Sequence, residues 1–232
     1  MRQIVLDTET TGLNAKLGDR VIEIGCIEIR SRRLTDRHFH VYLNPERDID
    51  EGAAKVHGLT REFLSDKPRF ADVAKDFLDY VRGAELVIHN AEFDVEFLDR
   101  ELALANLGTL AEHVGRVVDT LALARELHPG KRNSLDALCE RYAIDNAHRR
   151  LHGALLDAEL LAEVYLAMTR GQESLIMELD APQARDESAA RIDASALCVL
   201  RASADELAAH EQYLDDLQRD AKGGVLWRRL NP

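Results

Sequence analysis

Two carboxylates at the end of an apolar strand constrain this chain more than any other feature. Residues 3–12 read QIVLDTETTG, an apolar, partly β-branched run that predicts a buried strand ending at Gly12. Strand side chains alternate with a period of two, so Asp7 and Glu9 point the same way. Paired carboxylates at the edge of a core are costly without a cation, and hard divalent metals prefer carboxylate oxygen. In a chain with 42 Asp and Glu, such a triplet also arises by chance, so it needs partners elsewhere.

Composition predicts one globular domain with room for an appendage. Of the 232 residues, 46% are hydrophobic and 31% are charged. The formal net charge of −12 disfavours non-specific wrapping of duplex DNA, but it allows a nucleic-acid enzyme with few, metal-bridged contacts. Cys26, Cys139 and Cys198 lie far apart without a C-x-x-C spacing, which favours a reducing compartment and no structural zinc. The chain enters a strand at once, without a signal peptide or a membrane-spanning apolar run, so we expect a cytoplasmic protein.

The order of strands and helices predicts an α/β fold with a mixed sheet. Strands come first with short connections, which is typical of an antiparallel meander, and later strands alternate with helices that would cover the sheet. A polar stretch that includes residues 56–60 separates the two parts. The five expected strands start at residue 3 and then occupy residues 21–29, 39–43, 85–90 and 117–119. The expected helices are residues 69–82, 94–105, 120–128, 134–142 and 153–168.

The last fifth of the chain predicts a flexible linker and a small docking tail. Residues 180–195 are charged and poor in large apolar side chains, which is typical of a linker. Ser203 and Glu206 fit a capping box that starts a helix. One face of that helix would carry Leu207, Leu214, Leu217 and Ala221. We therefore expect a domain over residues 1–179 and a tail over 196–232 that packs on a partner, with packing on its own domain as the alternative.

Two further carboxylates are placed where they could join Asp7 and Glu9. Asp94 follows the fourth strand and lies at the start of a helix. The favourable interaction of a carboxylate with the helix dipole would by itself explain an acidic residue at this position. Asp157 shares an i, i+4, i+7, i+11 stripe with three apolar residues, so it should face inward. A carboxylate in that position needs either a metal or a salt-bridge partner.

A histidine and four carboxylates together fit two-metal phosphodiester hydrolysis. His152 lies about 140° of rotation from Asp157 on the same helix, and its ordinary pKa suits it to accept a proton from water. One divalent ion would lower the pKa of the attacking water, and another would stabilise the leaving 3′ oxygen. Hard oxygen ligands without clustered cysteines favour Mg²⁺ or Mn²⁺ over Zn²⁺.

Three motifs resemble those of the DEDDh exonuclease family. They occur in the family's order, at residues 7–12 (DTETTG), 89–94 (HNAEFD) and 152–157 (HGALLD). The resemblance implies a ribonuclease H-like fold and the removal of nucleotides from 3′ ends with two metal ions. It extends over essentially the whole chain to the members that proofread for bacterial DNA polymerase III, through residues 39–43, 83–90 and 129–138.

The resemblance implies a role for each metal ligand. Asp7, Glu9 and Asp157 would hold the first metal ion, and Asp7 would also bridge to the second. Asp94 would support the second ion through a water molecule. His152 would be the proton acceptor.

The resemblance also implies contacts to the substrate. His57, within residues 56–58 (VHG), would contact the terminal nucleotide, which would also lie against Asp7, Glu9 and Asp157. The family often carries a glutamate five residues before this histidine. Here that position is Gly52, next to Glu51.

Several protein partners follow from the same resemblance. The tail would dock on the polymerase alpha subunit. Gln172, Leu175 and Met177 resemble a weak motif for the beta sliding clamp, with an ordinary frayed helix end as the alternative. Exonucleases of this kind also bind a small theta-type subunit.

The sequence therefore predicts a 3′–5′ exonuclease that proofreads DNA within a replicase. Single-stranded or frayed ends are expected substrates, because a paired end cannot reach a buried metal cluster. A free-standing nuclease that trims RNA ends is one alternative, but it has no need of a linker and a docking tail. A non-catalytic module that stabilises a polymerase is another, but a scaffold has no reason to keep five costly polar groups.

Overall fold

A computed structural model of the protein describes residues 2–147, 149, 151–170, 202–220 and 227. The chain divides into two compact units, residues 1–179 and residues 180–232. The residues predicted to bind a clamp, Gln172, Leu175 and Met177, lie outside the described residues, as does the predicted linker. Among the helices that the structure describes, none is long and apolar enough to cross a membrane.

A five-stranded mixed sheet forms the centre of the first unit. The strands are β1 (Arg2–Thr10), β2 (Val21–Arg30), β3 (Arg33–Tyr42), β4 (Glu85–Ile88) and β5 (Arg116–Asp119). Their order across the sheet is β3-β2-β1-β4-β5. The first three strands pair antiparallel, whereas β4 runs parallel to β1 and β5 runs parallel to β4. The prediction of a meander followed by crossover strands, and of a mixed α/β sheet, is confirmed.

Helices complete the first unit. They are α1 (Glu51–His57), α2 (Arg61–Leu64), α3 (Phe70–Val81), α4 (Ala91–Leu104), α5 (Thr120–Leu127), α6 (Leu135–Tyr142) and α7 (Ala154–Met168). The last five were predicted, although α4 begins three residues earlier than expected. The sequence missed α1 and α2, because their short runs carry too little apolar periodicity to predict a helix. The glycine after α1 does mark the end of the helix. Gly58 adopts φ +72°, and its N–H donates to the Ala54 carbonyl.

β3 is longer than predicted. It begins at Arg33 rather than at residue 39, after a tight turn in which Ser31 and Arg32 have positive φ. β3 lies at the edge of the sheet, and most side chains in its first half are exposed. The usual alternation of apolar and polar residues is therefore weak there, while pairing with β2 still holds the strand, as in Ile29 opposite Leu34.

Two hydrophobic layers enclose the sheet. Ile4 and Leu6 of β1 belong to one layer, which includes residues of α3 and α4. Val5 belongs to the other layer, which includes residues of α6 and α7. Because strand side chains alternate, Asp7 and Glu9 continue the α7 side beyond the apolar core, whereas Thr8 continues the α4 side.

Gly25 lets α7 lie directly on the sheet. A Cβ atom at Gly25 would stand 2.2 Å from the carbonyl carbon of Ala154 and 2.3 Å from the nitrogen of Leu155. Gly25 is also the β2 partner of Asp7 in the strand ladder. The missing side chain therefore brings the first turn of α7, with Asp157, close to the carboxylates of β1.

We expect Gly25→Ala to lower the thermal unfolding temperature, because α7 would have to shift away from the sheet. Overpacking of this kind costs about 1–3 kcal/mol. Calorimetry or circular dichroism measures the change. Gly52→Ala is the matched control, since a Cβ there has no neighbour within 4 Å and alanine favours a helix over glycine. Equal melting temperatures for the two variants would contradict the close approach at Gly25.

The second unit contains one described helix, α8 (Ala204–Asp220). The predicted capping box is confirmed, because Ser203 N–H donates to Glu206 at 2.8 Å and Glu206 N–H donates to the Ser203 hydroxyl at 3.2 Å. Leu214 is buried, while Leu207 and Leu217 on the predicted stripe remain exposed. Ala221, the fourth member of that stripe, lies outside the described residues.

Candidate active site

Residues far apart in the chain converge on one cavity. It measures about 750 Å³ and lies beyond the carboxyl ends of β1 and β4. Its lining includes all five residues predicted for metal binding and catalysis, which are Asp7, Glu9, Asp94, His152 and Asp157. The convergence predicted from the sequence is therefore present in the fold.

The carboxylates reach the cavity from both faces of the sheet. Asp7 and Glu9 come from the last part of β1, and Asp157 comes from the first turn of α7. Asp94 comes from the first turn of α4, which packs on the opposite face. The hydroxyl of Thr8 donates to Asp94 Oδ1 at 2.6 Å and so ties that side chain to β1. Acidic side chains from β1, α4 and α7 therefore meet at the same end of the sheet.

Burial and mutual repulsion disfavour the charged forms of these acids. Burial is the largest cause that raises the pKa of Asp7 well above its usual value, and repulsion from Asp94, Asp157 and Glu9 adds to it. The same two effects raise the pKa of Glu9 to about 8. Burial raises the pKa of Asp94 to about 7, although the Thr8 hydroxyl opposes the shift. The cluster therefore carries more negative charge than its surroundings stabilise, which favours a bound cation.

Potential ligand atoms of three of the side chains lie close together. One ligand atom each from Glu9, His152 and Asp157 lies within 4.8 Å of the other two. Carboxylate oxygen and imidazole nitrogen suit a hard or borderline divalent cation. The residues present thus fit a divalent metal ion.

Arg149 is a salt-bridge partner for Asp157, the alternative that the sequence left open. Its Nε lies 2.5 Å from Asp157 Oδ1 and its Nη2 lies 2.6 Å from Oδ2, so both carboxylate oxygens are engaged. Its Nη1 contacts Asp136 at 2.6 Å. The Arg149 side chain is only 6% exposed. The guanidinium therefore supplies the positive charge beside Asp157, and a metal ion would compete with it for the same oxygens.

Arg149 also contacts His152. Its Nη2 lies 2.9 Å from His152 Nδ1, and Asp157 Oδ2 lies 3.3 Å from the same nitrogen. The backbone N–H of His152 donates to the Val56 carbonyl at 3.1 Å, which holds the segment against α1. His152 Nδ1 therefore lies against both members of the Arg149–Asp157 ion pair.

His57 lies beside this segment but is not among the residues that line the cavity. It is 5% exposed, and its Nδ1 accepts a hydrogen bond from the Leu59 N–H at 3.0 Å. Its Nε2 therefore carries the proton, and it has no hydrogen-bond partner in the described part of the chain. Burial lowers the pKa of His57. Contact of His57 with a nucleotide stays a prediction.

The sequence missed several polar residues of the cavity. Arg149, Arg125 and Lys131 all line it, as does Asn90. Asn90 precedes α4 with φ +66°, a left-handed conformation that asparagine tolerates better than most residues. Its position between β4 and α4 was the available signal, since loops at the carboxyl ends of parallel strands commonly build binding sites. Arg149 had no such signal, because its partners lie on α6 and α7.

We expect Arg149→Gln to destabilise the metal-free protein and to raise its affinity for Mn²⁺. Removing one partner of a buried ion pair costs about 3–5 kcal/mol, but the metal ion would no longer compete with a guanidinium. Thermal unfolding in EDTA and titration calorimetry with Mn²⁺ measure the two effects. Arg100→Gln, at an exposed position of α4, is the control. A lower Mn²⁺ affinity in the Arg149 variant would show that Arg149 supports the metal site rather than competing with it.

Known proteins share both the sequence and the fold. The family model RNase_T, described as exonuclease, matches residues 4–165. The chain is 55% identical to DNA polymerase III subunit epsilon of Salmonella typhimurium, over 98% of this chain and 97% of the relative. It is 53% identical to the subunit of the same name in Escherichia coli strain K12, with the same coverage. A solved structure of exonuclease X in complex with 5′ overhanging duplex DNA is similar with a TM-score of 0.58 and 26% identity, over 72% of this chain and 91% of that one.

Proposed function

This chain belongs to the exonuclease family and, within it, to the epsilon subunits of DNA polymerase III, and on that premise we propose how its residues act. The protein is a 3′–5′ exonuclease that proofreads DNA as part of DNA polymerase III. As a replication subunit it works in the cytoplasm. The observation that carries the mechanism is the convergence of Asp7, Glu9, Asp94, His152 and Asp157 on one cavity.

Exonucleases of this family generally use divalent metal ions, and the carboxylates of this chain are the groups that would hold them. Asp7, Glu9 and Asp157 would hold one Mg²⁺ or Mn²⁺ ion, while Asp7 and Asp94 would hold a second. When bound, the ions supply a water of lowered pKa and stabilise the departing 3′ oxygen. The raised pKa values of Asp7, Glu9 and Asp94 support this assignment, because only a nearby positive charge would make their ionised forms favourable.

Arg149 and His152 act together in the proposed reaction. Arg149 neutralises Asp157 in the metal-free protein, and it would have to leave Asp157 for that carboxylate to hold an ion and leave His152 for Nδ1 to face the substrate. The freed imidazole then accepts the proton of the attacking water. The half-exposed His152 side chain at the rim of the cavity can pass that proton to solvent.

The cavity favours an unpaired 3′ end. A volume of about 750 Å³ is within the range that suits a small ligand, such as one nucleotide, rather than a base pair with its duplex. The terminal nucleotide must therefore separate from its partner, which a mismatch makes easier. We propose that His57 contacts this nucleotide through its unpartnered Nε2–H, after a local rearrangement that opens the cavity toward α1.

We expect the protein to release mononucleotides from 3′-mismatched DNA in the presence of Mg²⁺. Asp7→Asn should abolish release, because a ligand to both ions loses its charge. His152→Ala should lower the rate about 10²- to 10⁴-fold while metal affinity is largely kept. Gel-resolved product formation and Mn²⁺ titration measure the two variants. Asp36→Asn, at an exposed position of β3, is the control.

Two outcomes of this assay would favour the other functions. Tight binding of the mismatched end without release by the unmodified protein would favour a non-catalytic module. Preferential digestion of an RNA competitor in the same tube would favour RNA trimming. Loss of metal affinity in His152→Ala would make His152 a ligand rather than the proton acceptor.

We also propose that residues 196–232 dock on the polymerase alpha subunit across a linker at residues 180–195. Apolar side chains on the described part of this tail support the proposal, since Leu207 is 56% exposed and Tyr213 is 62% exposed. Gln172, Leu175 and Met177 would bind the beta sliding clamp, and a theta-type subunit would be a further partner.

We expect deletion of residues 180–232 to abolish co-elution with the polymerase while nuclease activity is kept. The active-site residues lie in the first unit, so the deletion leaves all of them in place. Size-exclusion chromatography with the purified polymerase subunit measures association. The double substitution Leu207→Ser and Tyr213→Ser should weaken it in the full chain. Unchanged co-elution of the truncated protein would exclude the tail as the docking element.

A further inference from the structure

Part of the cavity wall is cationic. Arg125, near the end of α5, and Lys131, in the connection between α5 and α6, line the same cavity as the carboxylates. Both side chains are exposed. Neither takes part in an ion pair with another described residue, whereas Arg149 in the same cavity is paired with Asp157 and Asp136. In a protein of net charge −12, two unpaired cations beside an acidic cluster suggest an anionic ligand.

The backbone around Lys131 is held in place. Its N–H donates to the His128 carbonyl at 3.2 Å, and Arg141 donates to the carbonyl of Arg132 at 2.7 Å. Arg141 also donates to the side chain of Asn133 at 3.1 Å. These bonds fasten the connection to α6, so the backbone from which the Lys131 side chain extends is held in place.

We propose that Lys131 and Arg125 bind the backbone phosphates 5′ to the scissile bond of the strand that is being digested. The proposal rests on the proposed function, which places the scissile phosphate at the carboxylates. The next phosphates of that strand must pass close to an acidic cluster, which repels them. Cations on the wall offset this repulsion and hold the shortened strand after each cut. Both are positioning residues, because they lie outside the metal-binding cluster.

The decisive comparison uses a long and a short substrate. The long one is a single-stranded oligothymidylate, and the short one is the p-nitrophenyl ester of thymidine 5′-phosphate, which has no phosphate beyond the scissile one. The variant is Lys131→Gln with Arg125→Gln, and Lys75→Gln on an exposed part of α3 is the control. Oligonucleotide affinity is measured with Ca²⁺ over a range of salt concentrations, and thermal unfolding verifies that each variant folds.

We expect the double variant to bind the oligonucleotide more weakly, on the order of tenfold at 0.1 M salt. The slope of log K against log salt should become shallower by about 0.7 for each lost phosphate contact. The oligonucleotide KM should rise by a larger factor than the KM for the short ester, because only the oligonucleotide carries phosphates beyond the scissile one. The Lys75 control should match the unmodified protein in every measurement.

Other results would overturn the inference in distinguishable ways. An unchanged affinity and salt slope, with normal cleavage of both substrates, would show that these cations do not bind the strand. A matching loss of activity on the short ester would place them at the scissile phosphate or the terminal nucleotide. If the unmodified protein cleaves neither substrate, the proposed function itself is wrong.

Discussion

Repulsion among buried carboxylates is the interaction on which this structure depends. Burial is the largest cause that raises the pKa values of Asp7 and Glu9, and repulsion from neighbouring carboxylates adds to it. The fold nevertheless forces them together, through helices on both faces of one sheet and a backbone contact at Gly25. Such an arrangement is unfavourable by itself, so a counter-charge has to be part of the working site.

Arg149 is the counter-charge that the chain supplies. Its bidentate contact with Asp157 satisfies the carboxylate, and the same guanidinium contacts Nδ1 of His152. The segment that carries Arg149 and His152 is joined to α1 by the bond from His152 to Val56. One short segment therefore contacts Asp157, His152 and the helix that ends at His57. The cationic wall formed by Arg125 and Lys131 is separate from these contacts, because neither side chain forms an ion pair with another residue that the structure describes.

Local sequence patterns predicted the strands and helices that carry the acidic residues of the site better than they predicted the neighbouring elements. The apolar run of β1 and the apolar stripe of α7 predicted both elements. They also predicted the direction in which Asp7 and Asp157 point, because a buried face leaves a strong periodic signal. The first half of β3 and the short helix α1 were missed, since exposed edge strands and helices of about two turns carry little of that signal. The contribution of Arg149 was also missed, because ion pairing over a distance of eight residues depends on how a loop folds back.

The sequence by itself determined the fold class, the three acidic motifs and the residues that would do the chemistry. Residue types and their spacing record which side chains face the core, and that information is local. Tertiary structure alone decided that α7 touches β2 at Gly25, that Arg149 neutralises Asp157, and that Lys131 and Arg125 face the same cavity as the carboxylates. Those contacts depend on distances between segments that are remote in the chain. Tertiary packing sets these distances, and a local sequence pattern carries no information about them.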